Sequence, residues 1–387
     1  MSTMSTLRDT LYGITSCCFP NPTLQINKRA FKVIQLLGEG GYAFVYLVQD
    51  VATGRHYALK KIRCAPGDQE AVADAMREID MYRMFQHENI IKVLTTSICM
   101  EKDGGKTIYI FLPYYKRGNL QDSINANNLN KSHFPEPDLL RFFRNICYAV
   151  RALHHYQLPK VPKRNTEDDD ELLAVVPQLT QQRMMPISTS IPSPMVSGSY
   201  YNANGYQDDE RVDEEGTLVP YAHRDLKPSN ILIADDGHTP ILTDFGSITR
   251  ARITIKTRRE ALLQQDLAAE HSTMAYRSPE LYDVQTNTQL DEKMDIWSLG
   301  CLLYATAYGQ SPFSEANMHE VGGSMSLAVL NGQYKFPPSE SDPYSEGFRG
   351  LIRSMLVVDR KERADIQSVI ATVDRLLEES ALSSSSS

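Results

Sequence analysis

The sequence predicts an α+β chain of two lobes, a strand-rich half followed by a helical half. Three observations carry this. Short segments rich in β-branched and aromatic residues, separated by glycine-bearing turns, fill the stretch from Phe31 to Leu112. Apolar residues at helical spacing dominate after Asp138. The length, 387 residues, exceeds what one core needs.

Composition sets outer bounds. With 42% apolar and 23% charged residues the chain is ordinary globular material. No stretch approaches the roughly 18 to 20 consecutive apolar residues of a membrane span. The longest, Ile296 to Tyr308, contains Ser298 and Gly300 and reads as a buried core helix. The N-terminus has no charged-then-apolar leader pattern, so secretion is not expected. Six cysteines at 17, 18, 64, 99, 147 and 301 form neither a disulfide framework nor a zinc spacing, which fits a reducing compartment. A net charge of -8 argues against nucleic acid as a partner.

The elements follow in order. Residues 1–28 lack periodicity and read as a flexible arm. Strands are expected over Phe31–Leu37, Phe44–Gln49 and His56–Ile62. Pro66-Gly67-Asp68 opens a helix with Val72, Ala75, Met76, Ile79 and Tyr82 on one face. Strand-like segments return at Ile90–Thr95 and Thr107–Leu112. A second helix spans Asp138–Tyr156, its apolar face built by Leu139, Leu140, Phe142, Phe143, Ile146, Val150 and Leu153. Residues 158–219 change character. Between 157 and 220 there are five Lys/Arg against eleven Asp/Glu, a net of -6, with a Ser/Pro/Asn/Gln-rich stretch between two acidic runs. That composition cannot bury enough apolar surface to offset its ordering entropy, so an inserted disordered loop is expected. The chain is then compact and mostly helical to Leu377, and 378–387 reads as a disordered serine-rich tail.

Three constellations carry chemistry. Gly38-Glu39-Gly40-Gly41-Tyr42-Ala43-Phe44-Val45 lies between two strands, where small residues let backbone amides approach phosphates. A hairpin turn would carry the same glycines. The strand-to-strand context and the missing Gly-Lys-Ser/Thr ending argue against a dinucleotide fingerprint and a P-loop. Lys60, on the apolar strand Tyr57-Ala58-Leu59-Lys60, is either an edge charge or a buried cation, and Glu78 on the following helix is its candidate partner. The third constellation decides between these readings. His223-Arg224-Asp225-Leu226-Lys227-Pro228-Ser229-Asn230 precedes Asp244-Phe245-Gly246, with Asp244 nineteen residues after Asp225. One carboxylate to accept a hydroxyl proton, a second to hold magnesium on phosphates, and an amide completing the metal shell are what phosphoryl transfer needs. Asp225, Asp244 and Asn230 take those roles. Lys227 would neutralise the γ-phosphate, and a Lys60–Glu78 pair would hold the α and β phosphates.

On these residues the chain resembles the eukaryotic protein kinases. The resemblance covers about residues 31 to 377 apart from the insertion. It implies a domain over 29–377, with a small lobe 29–112, a hinge 113–118 and a large lobe 119–377. Ser278-Pro279-Glu280 stands where the family has Ala-Pro-Glu. Asp295-Ile296-Trp297-Ser298-Leu299-Gly300 resembles the family's central helix, and Arg363 is placed to pair with Glu280. By the same resemblance, Val45, Ala58 and Leu232 enclose adenine, Leu112 is the gatekeeper, and Pro113 to Tyr115 form the hinge. ATP and Mg2+ are the implied cofactors, proteins with Ser/Thr acceptors the implied partners, and a monomer the expected state. Lys227 resembles the serine/threonine class. Ala43 in place of the third loop glycine and Ser278 in place of alanine are small departures. A pseudokinase scaffold is the rival reading, against which the intact Lys60, Glu78, Asp225, Asn230 and Asp244 stand.

The chain is further similar to the Numb-associated kinase group, on Leu112-Pro113-Tyr114-Tyr115-Lys116-Arg117-Gly118, Asp244-Phe245-Gly246-Ser247 and the loop glycines. Within it, the branch of fatty-acylated, membrane-anchored serine/threonine kinases, which includes a yeast vacuolar-membrane kinase, is most alike. That resemblance implies palmitoylation of Cys17 and Cys18 and a place on the cytoplasmic face of a vacuole, Golgi or endosome membrane, in membrane traffic. Without acylation the cytoplasm is expected. Ser2 stands where myristoylation needs glycine. Between Thr257 and Thr273, Arg258 to Ala269 are mostly good helix formers. A pre-ordered activation segment that needs little activating phosphorylation is therefore expected, with Ser272 and Thr273 as candidates for autophosphorylation.

Overall fold

The small lobe is organised by one antiparallel sheet with the strand order β1-β2-β3-β4-β6-β5. Its strands are β1 (Thr23–Ile26), β2 (Arg29–Glu39), β3 (Ala43–Asp50), β4 (His56–Cys64), β5 (Thr95–Met100) and β6 (Lys106–Pro113). The computed structural model describes residues 22–40, 43–158, 216–315, 317 and 324–385. Side chains alternate across the sheet. One face gathers Ile26, Phe31, Val48, Leu59, Tyr109 and Phe111 into a small core. On the other, Ile62, Ile108 and Ile110 meet Ala75, Ile79 and Tyr82 of α1 (Gln69–Met84) within the main core. Asp68 caps α1, its carboxylate accepting from the Ala71 N–H at 2.9 Å.

The described chain falls into two units, residues 1–156 with 219–387, and residues 157–218. In the first, the Val219 N–H donates to the Tyr156 carbonyl at 2.8 Å, so the backbone closes across the interruption. In the second, the described ends run antiparallel, with Leu158 N donating to Thr217 O at 3.1 Å. The core of the insertion expected from composition lies outside the described residues.

The large lobe begins with α2 (Leu120–Asn130) and α3 (Glu136–His154). The short pairs β7 (Tyr221–Ala222) with β10 (Thr249–Arg250), and β8 (Ile231–Ile233) with β9 (Pro240–Leu242), carry the loops of the site. Then follow β11 (Ile253–Ile255), α4 (Arg258–His271), α5 (Pro279–Tyr282), β12 (Thr288–Leu290), α6 (Lys293–Tyr308), α7 (Met325–Leu330), α8 (Glu346–Met355) and α9 (Ile366–Ser385). Every residue of α6 from Met294 to Ala307 is buried, which makes it the axis of the lobe.

Four expectations change. The arm expected over residues 1–28 meets structure at its end: Thr23–Ile26 pairs with β2 through a two-residue turn whose Asn27 and Lys28 sit at φ 49° and 64°, and residues 1–21 lie outside the described residues. Both residues are left-handed, the hairpin type that matches strand twist. Ile90 and Ile91 are core residues bridged to Leu242, and the strand lies instead at Thr95–Met100. Helix α2 has only Leu120 and Ile124 buried, too thin an apolar stripe to show in the sequence; its capping box, Asn119 with Asp122, was the available signal. The helix α9 runs past Leu377 to Ser385, where a disordered tail was expected, supported by an Arg375–Glu379 pair at i,i+4.

Candidate active site

Lys60 lies mid-strand in β4, between Val45 of β3 and Ile110 of β6. Its Nζ donates to Glu78 Oε1 at 2.6 Å and to Asp244 Oδ1 at 3.0 Å. Burial works against the ammonium, but Asp244 and Glu78 outweigh it and hold the amine well above the ordinary lysine range. Lys60 in turn holds the Asp244 carboxyl below its usual range. Burial pushes the Glu78 carboxyl up, a shift that Lys60 opposes.

Asp244 owes its direction to its neighbour. Phe245 is buried and stacks on Tyr82 of α1 at 4.9 Å and 11°, edge-on to His223 at 5.8 Å. With Phe245 held under α1, Asp244 adopts φ 64° and its side chain, 46% exposed, faces solvent.

The loop after β7 is hung from one buried carboxylate. Asp295, on α6, accepts from His223 N at 2.7 Å and Arg224 N at 2.9 Å, and meets His154 Nε2 at 3.0 Å. Burial raises its pKa, but His154, His223 and the Arg224 N–H prevail and the carboxyl stays below its ordinary value. Arg224 takes φ 69°, and this bend delivers Asp225. Asp225 Oδ2 lies 2.7 Å from Lys227 Nζ and accepts from Asn230 Nδ2 at 3.2 Å. Asn230 Nδ2 also donates to the Asp225 carbonyl at 2.9 Å. Both amide bonds use the nitrogen, which leaves the amide oxygen as an acceptor.

The sequence reading missed one member of this group. Thr273, read there as a phosphorylation candidate, donates its Oγ1 to Asp225 Oδ1 at 2.7 Å, and its N–H reaches the same oxygen at 2.9 Å. Lys227 Nζ donates to Thr273 Oγ1 at 2.7 Å. Its place five residues before Ser278-Pro279-Glu280 was the only signal, and spacing alone does not reveal a contact with Asp225.

The nucleotide-facing candidates lie on β2 to β6 and β8. Gly38 and Glu39 end β2, paired with Val45 and Phe44, and Gly40 N donates to Ala43 O at 2.8 Å. Gly41 and Tyr42 lie outside the described residues, as do Cys17 and Cys18. Ala58 pairs with the buried Leu112, and Tyr57 with Pro113. Ala43, Ala58, Tyr115 and Leu232 pack against the main core, and Leu232 bridges to Asn119, just past the expected hinge.

The activation segment is ordered by its own helix. Thr257 and Glu260 form a capping box at the start of α4. Gln265 Nε2 donates to the Tyr282 carbonyl at 2.8 Å, and Arg277 Nε and Nη2 hold Ser272 Oγ and O at 2.8 Å each. Below it, Arg363 makes bonds of 2.7 and 3.0 Å to the Glu280 carboxylate and lies over the Trp297 ring at 5.2 Å.

The carboxylate of Asp244 and the amide oxygen of Asn230 are hard oxygen donors suited to magnesium, which takes one or two protein ligands and fills its shell with phosphate and water. No cluster of three or more His, Cys, Asp or Glu among the described residues forms a fuller metal cage.

Comparison with known proteins gives the family. The protein kinase domain model matches residues 31–159 and 220–373. The chain belongs to the protein kinase family and is a serine/threonine protein kinase. It is 36% identical to serine/threonine-protein kinase ENV7 of Saccharomyces cerevisiae, over 91% of this chain and 94% of that one. It is 34% identical to serine/threonine-protein kinase ppk13 of Schizosaccharomyces pombe, over 95% and 96%. With human serine/threonine-protein kinase 16 it shares 32%, over 94% and 96%.

Proposed function

We propose that the chain transfers the γ-phosphate of ATP to serine and threonine hydroxyls of proteins, with Asp225 as the base that accepts the hydroxyl proton. The observation that carries this is the convergence on Asp225 of Lys227, Asn230 and Thr273, beside an Asp244 already paired to Lys60. Lys227 would offset charge on the transferred phosphoryl group, and Lys60, fixed by Glu78, would hold the α and β phosphates. Asp244 and Asn230 would hold magnesium, which supplies charge neutralisation on the phosphates. Gly38 to Ala43 would cover the phosphates. Val45, Ala58 and Leu232 would enclose adenine beside Leu112, with backbone groups of Pro113 and Tyr115 at its edge. Thr273, hydrogen-bonded to Asp225, lies where an acceptor hydroxyl must come, which supports the serine/threonine assignment. Radiolabel transfer from ATP to a generic protein tests the reading. Asp244→Asn should reduce it below detection; no transfer by the wild type with either magnesium or manganese favours a scaffold.

The second part concerns location. Among the described residues no helix is long and apolar enough to cross a membrane. Attachment to a vacuole, Golgi or endosome membrane therefore rests on acylation of Cys17 and Cys18, since stable anchoring takes about two lipid signals. Support comes from the pair itself and from the resemblance of the chain to the acylated branch. The tagged protein should sit on an internal membrane, and Cys17→Ser/Cys18→Ser should be cytosolic. Identical cytosolic staining of both would remove the trafficking reading.

A further inference from the structure

Helix α4 carries two adjacent glutamines that the chemistry above leaves unused. Ala261, Gln264 and Ala268 form its buried stripe, so Gln264 is a polar side chain on an otherwise apolar face. Its Oε1 accepts from Arg224 Nη2 at 3.0 Å, whereas Gln265 turns the other way, to the Tyr282 carbonyl. Arg224 immediately precedes Asp225, is 9% exposed, and has no carboxylate within ion-pair distance of its guanidinium among the described residues. Burial lowers the guanidinium to about 10, opposed by the nearby Asp295. A buried cation without an anionic partner is costly. Kinases switched by phosphorylation supply that anion as a phosphate on the activation loop, paired to arginine. Here the helix presents a neutral amide oxygen. The same helix then delivers Thr273 to Asp225, so it grips the catalytic loop at two points, once before and once after its C-terminus.

We propose that Gln264 is a positioning residue for phosphoryl transfer: its amide holds Arg224, and through it Asp225, in the place that a phosphorylated side chain takes in switched kinases. This rests on the reading of Asp225 as the base and of the unphosphorylated segment as competent. It predicts that turnover depends on this hydrogen bond and falls when that bond alone is removed.

The test uses the full-length protein treated with phosphatase, with kcat and KM measured for ATP and for an acceptor protein. The wild type should keep its activity. Gln264→Met, equal in length but without the amide, should lower kcat about 10- to 100-fold, the worth of one hydrogen bond to a charged group. Its KM for ATP should stay unchanged, because Lys60, Glu78 and the adenine-facing strands are untouched. Gln264→Glu accepts the same bond and should restore kcat to within about threefold. A wild-type kcat in Gln264→Met would overturn the proposal. So would equal losses in both variants, which would make the site one of packing alone. Should Gln264→Met not fold, Gln264→Glu decides: near-wild-type kcat supports the proposal and a loss beyond about tenfold overturns it. Loss of wild-type activity on phosphatase treatment would instead refute the competent unphosphorylated segment, and the proposal with it. Absence of transfer before treatment would refute the kinase chemistry itself.

Discussion

Lys60, largely buried at 13% exposure, and the buried Arg224 are both cations beside a carboxylate, and their charges are met in opposite ways. Lys60 has two carboxylates within 3.0 Å, Glu78 and Asp244. Arg224 has the neutral Gln264 amide at its guanidinium, while the nearby Asp295 is used by the backbone. The first arrangement offsets desolvation with formal charge; it is strong and needs every partner present. The second depends on a helix being docked so that one amide oxygen arrives at one place. Lys60 is thus held by charge and Arg224 by tertiary packing. Arg363, fully buried, is a third cation of the first kind, with Nη1 and Nη2 of its guanidinium on Glu280.

If that division is right, breaking the charge-matched sites should have the larger effects. Arg363→Met leaves the Glu280 carboxylate without its partner and removes the stack on Trp297, so unfolding free energy should drop by about 3–5 kcal/mol in a denaturant titration. A loss under about 1 kcal/mol would show the pair to be replaceable. Lys60→Met leaves Glu78 and Asp244 facing each other. Phosphoryl transfer should fall about 10²–10³-fold in kcat/KM, the cost of removing one preorganised electrostatic donor. A fall of only a few fold would mean that Lys60 serves the fold more than the phosphates. Ser278 sharpens the contrast from the other side. It is 1% exposed and its Oγ has no hydrogen-bond partner among the described residues, an unmet neutral group rather than an unmet charge. Ser278→Ala should therefore raise stability by about 1 kcal/mol, read as a higher melting temperature with unchanged kcat.

The same division governs what the sequence made legible. Lys60, Glu78, Asp225, Asn230 and Asp244 are chemistry-bearing residues at spacings that phosphoryl transfer explains; the structure joins Lys60, Glu78 and Asp244 in one cluster and Asp225 and Asn230 in another. The pairing of Arg363 with Glu280 was implied only by the family resemblance, and the structure forms it. The helix of the activation segment was readable from the propensities of Arg258 to Ala269. Its contacts were not, because which face of α4 meets Arg224 depends on how α4 packs beside the catalytic loop. Gln264 on the Ala261–Ala268 stripe was the trace it left. The errors elsewhere have local causes. Thr23–Ile26 is too short to show alternation, and Ile90-Ile91 signals burial rather than a strand. The serine-rich end of α9 looked like a tail until its i,i+4 pair was placed on a helix.

The central claim is that this chain carries a complete phosphotransferase whose activation segment is set by its own helix. The most direct measurement is transfer from radiolabelled ATP by phosphatase-treated protein, wild type beside Asp244→Asn, with serine, threonine and tyrosine resolved in the product. The account predicts label on serine and threonine for the wild type and none for the variant. Equal labelling by both, or label that appears only before phosphatase treatment, would contradict it.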